Sequence, residues 1–385
     1  MHDRLVGVPP AAAVLDQMAG LITADPVNGP LLAAEMAMEN NGLPRNPFYN
    51  TTLRNFVMPW SNEAQSSFGD MNDYVLTVIG MIRDGVDFSS VLSADLVYVY
   101  GGGNAGVDPY SHTDNEHYRD IDRLAIDISD PLEVISSSQS NVTGANDLPP
   151  AATAGVQTTR AGAEAFFSAG TNRRMLRFSL MNYLCHDLED VHDTSRTPDR
   201  IRRDVSRNPG GDSSIFLNNC VGCHAGMDPL AQAYAFYDFD GQIIYSASGP
   251  GNPNGTVQEK NNINANAFDL GYEIQNPNAD RWDNYWREGP NSALGWFGPG
   301  SGNGAKSLGT ELASSRAFSE CQVKKVFQAV CLHGPTSAAD LTEIQRISDA
   351  LEVNQPQAPF NDPTFAGSYN MKRVFAEVAN YCKGP

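Results

Sequence analysis

The chain of 385 residues is 41% hydrophobic and 18% charged, enough apolar material for two ordinary domains with sizeable cores, and it reads as globular. No apolar run approaches the roughly 18 residues of a membrane span, because charges or Gly, Asn and Pro interrupt each one. With 26 Lys and Arg against 45 Asp and Glu, the net charge of -19 argues against nucleic acid and anionic lipid as partners and suits a basic protein.

In chain order, Leu31, Leu32, Met36 and Met38 mark a first apolar helical segment, and Val75, Ile79 and Ile82 a second. A β-like run at 96–100 stops at Gly101, Gly102 and Gly103. With no Lys-Ser/Thr after it, this triple glycine reads as a loop and not as a phosphate cradle. Segment 136–155, rich in Ser, Asn, Pro and Ala, reads as a linker. It would divide a helical domain at 1–150 from a second domain at 151–385. A helix is predicted over 161–190. Asp228 and Pro229 form an N-cap and first-turn pair for another, running through Tyr234 until Asp238 and Gly241 end it.

From 245 to 309 Gly, Asn, Pro and Ser dominate, but Trp282, Trp286 and Trp296 argue for an ordered loop region packed against something. Three helices close the chain. Val323, Val326, Phe327 and Val330 mark one, Leu341, Ile344, Ile347 and Leu351 the next, and Met371, Val374, Phe375 and Val378 the last. Gly334 and Pro335 should stop the first, Ser337 with Asp340 should box the start of the second, and Asn370 should cap the third. The fold class that results is mainly α.

Six cysteines split into a close pair, Cys220 and Cys223, and four dispersed ones. Cys321 and Cys331 lie ten residues apart on one helix, about 15 Å of rise, and should not pair with each other. If successive helices run antiparallel, Cys331 and Cys382 both fall at C-terminal ends, which favours that pair. Cys185 with Cys321 then follows by elimination, a free buried Cys185 being the alternative. Disulfides point to an oxidising compartment. MHDRLVGVPP at the start lacks the pattern of a secretory leader, so export implies sequence upstream of Met1.

Cys220-Val221-Gly222-Cys223-His224 has the spacing at which two thiols attach covalently to haem while the adjacent imidazole becomes the iron ligand. A zinc site would want a second ligand pair, and a thioredoxin-type motif a preceding apolar strand; the sequence has neither. One covalent haem c, with His224 as proximal ligand, is the economical reading. It names the same periplasmic or extracellular compartment as the disulfides.

The longer segment CVGCHAGMDPLAQAYAFYDFDG resembles the C-x-x-C-H-x-x-M/I-D-P-L-x-x-A-x-x-x-F/Y-D-x-x-G segment of planctomycete-type c-type cytochrome proteins. GTNRR at 170–174, RRDVSRNPGGD at 202–212 and RLVGVPP at the start look like further pieces of that group. The resemblance implies a mainly helical, exported protein with haem c, and no particular reaction.

Beyond the motif, the distal ligand separates a carrier from an enzyme. Met227 lies on the proximal side, so Met181 is the distal candidate, ahead of Met175, His186 and His192. Arg173 and Arg174, with Arg202 and Arg203, are candidate partners for haem propionates. His112 and His117, in an acidic stretch, read as solvated. Asp238 and Asp240 lack the further donors of a calcium loop. The favoured function is electron transfer with a redox partner protein that carries a basic face. One alternative is a haem enzyme with an open distal site acting on a peroxide, nitrogen oxide or small organic molecule. Another is a surface-assembly or filament subunit that carries haem.

Overall fold

The computed structural model describes residues 1–39, 41–142, 148–168, 172–202, 204–245, 280–352 and 369–383. These form a mainly helical protein. The strands among them make three two-stranded antiparallel sheets: Val97–Tyr100 with Val134–Ser137, Tyr237–Phe239 with Ile243–Tyr245, and Arg281–Asp283 with Ser301–Asn303.

The Asp73–Arg83 helix is enclosed on every side. Its apolar run needs cover all round, and the strand Val97–Tyr100, the short helix Arg160–Phe166 and the helical turns from Phe48 to Ser61 supply it. Asp73 is itself buried. Its carboxylate accepts from the amides of Arg160 at 2.5 Å and Ala161 at 3.0 Å, which ties this helix to the chain beyond residue 150. One contiguous apolar core runs from Leu5 to Ala379.

Ala152 and Ala154, near the end of the expected linker, lie inside this core. Ala154 and Val156 are fully buried, and the amides of Gly155 and Val156 donate to Ala94 and Val91. A Cβ at Gly155 would sit 1.9 Å from the Val91 carbonyl oxygen. Small residues serve close backbone approach here, where their composition alone suggests a linker.

Two helical expectations need correction. In place of one helix over 161–190, the chain forms Arg160–Phe166, then Arg173–Ser179 and a π-helical turn Leu180–Leu184 that ends at Cys185, whose φ is 57°. Asn172, with φ of 59°, interrupts the pattern. The helix expected from Asp228 in fact begins at Val221, with Cys220 at its N-cap position, and runs to Ala231 before a 3-10 turn Gln232–Tyr234, so Asp228 is an interior residue. Asp238 and Gly241 belong to a β-hairpin.

The closing helices are Arg316–Cys331, Ala338–Glu352 and Met371–Tyr381. The first stops at Leu332, with φ of 63°, two residues before the expected Gly334. Asn370 accepts from the Arg373 amide. Ser337 Oγ accepts from the Asp340 amide and Asp340 accepts from the Ser337 amide, as the box requires. The expected pairs Cys331–Cys382 and Cys185–Cys321 both lie at disulfide distance, with Cα separations of 5.4 and 5.2 Å.

Asp340 also accepts from the Thr336 amide and the Tyr381 hydroxyl. These bonds, the Thr336 and Ser337 amides foremost, hold its carboxyl well below the usual aspartate range. A depressed pKa stabilises the fold above the unfolded value of about 3.9, and that contribution fades as pH falls towards the folded value. Asp340→Ala should therefore lower the melting temperature at neutral pH, by an amount that shrinks below about pH 4. A deficit that stays constant down to the most acidic condition would contradict this.

Candidate haem-attachment site

The motif helix presents two opposed faces. At about 100° per residue, Gly222 and Gly226 share one, and His224 and Asp228 share the other. The glycine face is a contact surface. A Cβ at Gly222 would lie 2.1 Å from His192 Nε2, and one at Gly226 would lie 2.0 Å from Trp286 Nε1. Only hydrogen fits between the helix and those rings. The Asp193 amide donates to the Gly222 carbonyl at 2.9 Å, so the segment after Cys185 is laid along the motif.

Trp282 and Trp286 are fully buried. Trp282 Nε1 donates to Ser307 Oγ at 2.7 Å, and Trp296 Nε1 donates to the Trp286 carbonyl at 3.2 Å. The tryptophans at 282–296 are thus ordered and back the motif helix. The expected loop region also spans 246–279, which lies outside the described residues.

Cys220 and Cys223 are the free cysteines, both partly exposed. Cys220 Sγ approaches the Ile215 carbonyl at 3.9 Å and Cys223 Sγ the Leu188 carbonyl at 3.6 Å. Burial, then the charges of Glu189 and Asp187, push the Cys223 thiol up. Ile201, Phe216, Val221 and Ala225 form a small apolar cluster apart from the main core, with Cys220 packed on its edge. Ile215 and Leu217 stay exposed just before the motif.

His224 is part-buried, and its Nδ1 lies 3.2 Å from Asp228 Oδ1. Asp228 is the residue that the sequence reading missed. Its side chain is fully enclosed, and it also accepts from Arg173 Nε at 2.6 Å, Arg173 Nη2 at 3.0 Å and the Arg202 amide at 3.0 Å. Burial pushes this carboxyl up, but the bonds from His224 and Arg173 and the charges of Arg173 and Arg202 outweigh it and hold it well below the usual range. The signal for the pair was the i, i+4 spacing of His and Asp, legible once the motif is placed on a helix.

The arginines serve carboxylates and carbonyls. Arg173 bridges Asp228 and Asp204, the latter at 2.7 and 2.9 Å. Arg174 pairs with Glu63 at 2.7 Å. Arg202 is fully buried, its Nη2 donates to the Ala231 carbonyl at the end of the motif helix, and burial pushes its guanidinium down to about 10. Arg203 lies outside the described residues. Arg207 was not anticipated. Its guanidinium lies 4.8 Å over the Phe216 ring, and its buried Nη1 has no hydrogen-bond partner among the described residues.

Met181 sits part-buried in the Leu180–Leu184 turn against the main core. His186 is half-buried beside Asp190, and His192 is exposed except where its ring meets Gly222. The solvated reading of His112 and His117 is corrected: both are buried. His117 Nε2 accepts from the Tyr100 amide at 3.0 Å, with Nδ1 2.7 Å from the Asp108 carbonyl. Burial pushes both imidazoles down, so the acidic stretch folds them in as neutral groups.

These donors fit haem c. With Nδ1 committed to Asp228, Nε2 is the nitrogen left to ligate iron, two thiols at i and i+3 are unpaired, and apolar side chains border them. Among the described residues no group of three or more His, Cys, Asp or Glu converges as a site for a bare metal ion. No family model, curated protein or solved structure matches the chain.

Proposed function

We propose that the protein is an exported c-type cytochrome of the planctomycete type that carries one covalent haem and acts in electron transfer. The observation that carries the reading is the motif itself. The four other cysteines pair as disulfides, while Cys220 and Cys223 stay unpaired beside a histidine already oriented by a buried carboxylate. Cys220 and Cys223 would hold the porphyrin, His224 the iron, and Arg174 and Arg207 are the candidates for the propionates, since Arg173 is engaged by Asp228 and Asp204. When bound, haem supplies one-electron chemistry. The chain supplies the attachment, an imidazole held in one tautomer and an apolar border.

The two disulfides support a periplasmic or extracellular location. Among the described residues no helix is long and apolar enough to cross a membrane. The acidic composition suits a redox partner with a basic face.

A haem enzyme with an open distal site is the second reading, favoured by the His224–Asp228 pair, because a carboxylate-bonded proximal imidazole is a stronger donor to oxidised iron. Matured protein should be examined by visible spectroscopy with and without CO and cyanide. Bands that neither ligand perturbs support the carrier with Met181 or another distal ligand in place. Ready binding of both would overturn the carrier in favour of the enzyme. Ser at either Cys220 or Cys223 should leave one thioether, and Ser at both should abolish the haem that survives denaturation.

A further inference from the structure

We propose that Asp228 is the positioning residue for His224, fixing the tautomer that presents Nε2 and, by its charge, biasing the iron towards the ferric state. This rests on the haem c reading above.

The carboxylate is placed by a helix, not a loop: His224 and Asp228 are one turn apart on the helix Val221–Ala231. An ionised carboxylate only accepts, so a 3.2 Å contact to Nδ1 puts the imidazole proton on Nδ1 and the lone pair on Nε2. The Asp228 side chain has no solvent exposure and that of His224 is 21% exposed, so water reaches the pair only from the imidazole side. A carboxylate on the far nitrogen raises the basicity of the ligating one, and a more basic ligand favours Fe(III) over Fe(II).

The charges that face Asp228 set the size of the effect. Arg173 takes one edge through both its Nε and Nη2, and Arg202 adds its amide and a buried guanidinium. Arg173 is itself shared with Asp204, so two carboxylates divide one of these two cations. Arg207 also faces the carboxylate electrostatically, which makes three cations and two carboxylates, and the group nearest the imidazole dominates because Coulomb energy falls with distance. The chain His224, Asp228, Arg173 and Asp204 leads from the motif to a surface carboxylate. Arg173 therefore acts as a counterweight that draws negative charge away from the imidazole.

The two residues should pull the midpoint potential in opposite directions. In matured full-length protein, Asp228→Asn should move the iron equilibrium towards Fe(II) at least tenfold, about 59 mV for a one-electron couple. Arg173→Gln should move it towards Fe(III). Covalent haem content is measured on the same samples. Opposite shifts at unchanged haem content are the expected result, since a loosened fold would move both midpoints the same way. Shifts of one sign, or midpoints within twofold of wild type in the equilibrium constant, overturn the role of Asp228 and leave the haem reading intact. If Asp228→Asn does not fold, the sign of the Arg173→Gln shift decides. Absence of covalent haem from the wild-type chain overturns the haem reading itself.

Discussion

Glu311→Ala should destabilise the protein by about 3–5 kcal/mol, the usual cost of breaking a buried ion pair from one side. The Glu311 carboxylate, on the Gly304–Ala313 helix, has no solvent exposure. It accepts from Asn284 Nδ2 at 2.7 Å, Arg287 Nε at 2.9 Å, Arg287 Nη2 at 3.0 Å and the Gly300 amide at 2.9 Å. Four N–H donors lose their acceptor at once, two of them on one part-buried guanidinium. These donors belong to the segment that carries Trp282 and Trp286, and Trp286 backs the motif helix at Gly226. Loss of Glu311 should therefore loosen the motif's support as well as lower the denaturation midpoint. Glu311→Gln should cost less, since it keeps an acceptor oxygen. An alanine variant within about 1 kcal/mol of wild type, smaller than even the low end of the range for a broken buried pair, would remove the argument.

Loss of the Cys185–Cys321 disulfide is the second large effect. The two residues are 136 apart, and closing so long a loop is worth on the order of 5 kcal/mol in the chain-entropy limit. Against a total stability of roughly 5–15 kcal/mol, that is a large share. The bond also has a local task. Cys185 ends the Leu180–Leu184 turn, and the chain that follows brings the Leu188 carbonyl to Cys223 and the His192 ring and Asp193 amide to Gly222. The double variant Cys185→Ser with Cys321→Ser should lower the thermal midpoint and raise amide exchange at 221–224. A midpoint equal to wild type would contradict the first part, and unchanged exchange at the motif would contradict the second. The Cys331–Cys382 bond closes a shorter loop, so its removal should cost less.

What was legible in the sequence was local or followed from helix geometry. The Asp73–Arg83 helix, the Ser337 and Asp340 box, the Asn370 cap and both cysteine pairs follow from periodicity, end signals and the rise of a helix. What stayed hidden depended on distant partners. Asp228 looks like an N-cap because Asp-Pro is a strong local start signal, yet its bonds come from Arg173 and Arg202, far away in sequence. Gly155, at the end of the linker-like stretch 136–155, is small because the Val91 carbonyl approaches it, a contact with distant backbone that composition does not reveal. His112 and His117 lie among acidic residues; His112 packs on nearby Tyr110, but His117 is bonded to the Tyr100 amide at the end of the Val97–Tyr100 strand, which the acidic composition around it does not reveal. At the site, the Cys-x-x-Cys-His spacing lies in five adjacent residues and can be read directly, while the carboxylate behind His224 needed the helix to be in place.

The central claim is the covalent attachment of one haem through Cys220 and Cys223, and intact mass tests it most directly. The chain should be exported in a host that attaches haem c and its mass measured after denaturation and reduction. The expected result is the polypeptide mass plus one haem, falling to the polypeptide alone when both cysteines are serine. Polypeptide mass alone from the wild-type chain, beside a control cytochrome matured in the same cells, would contradict it.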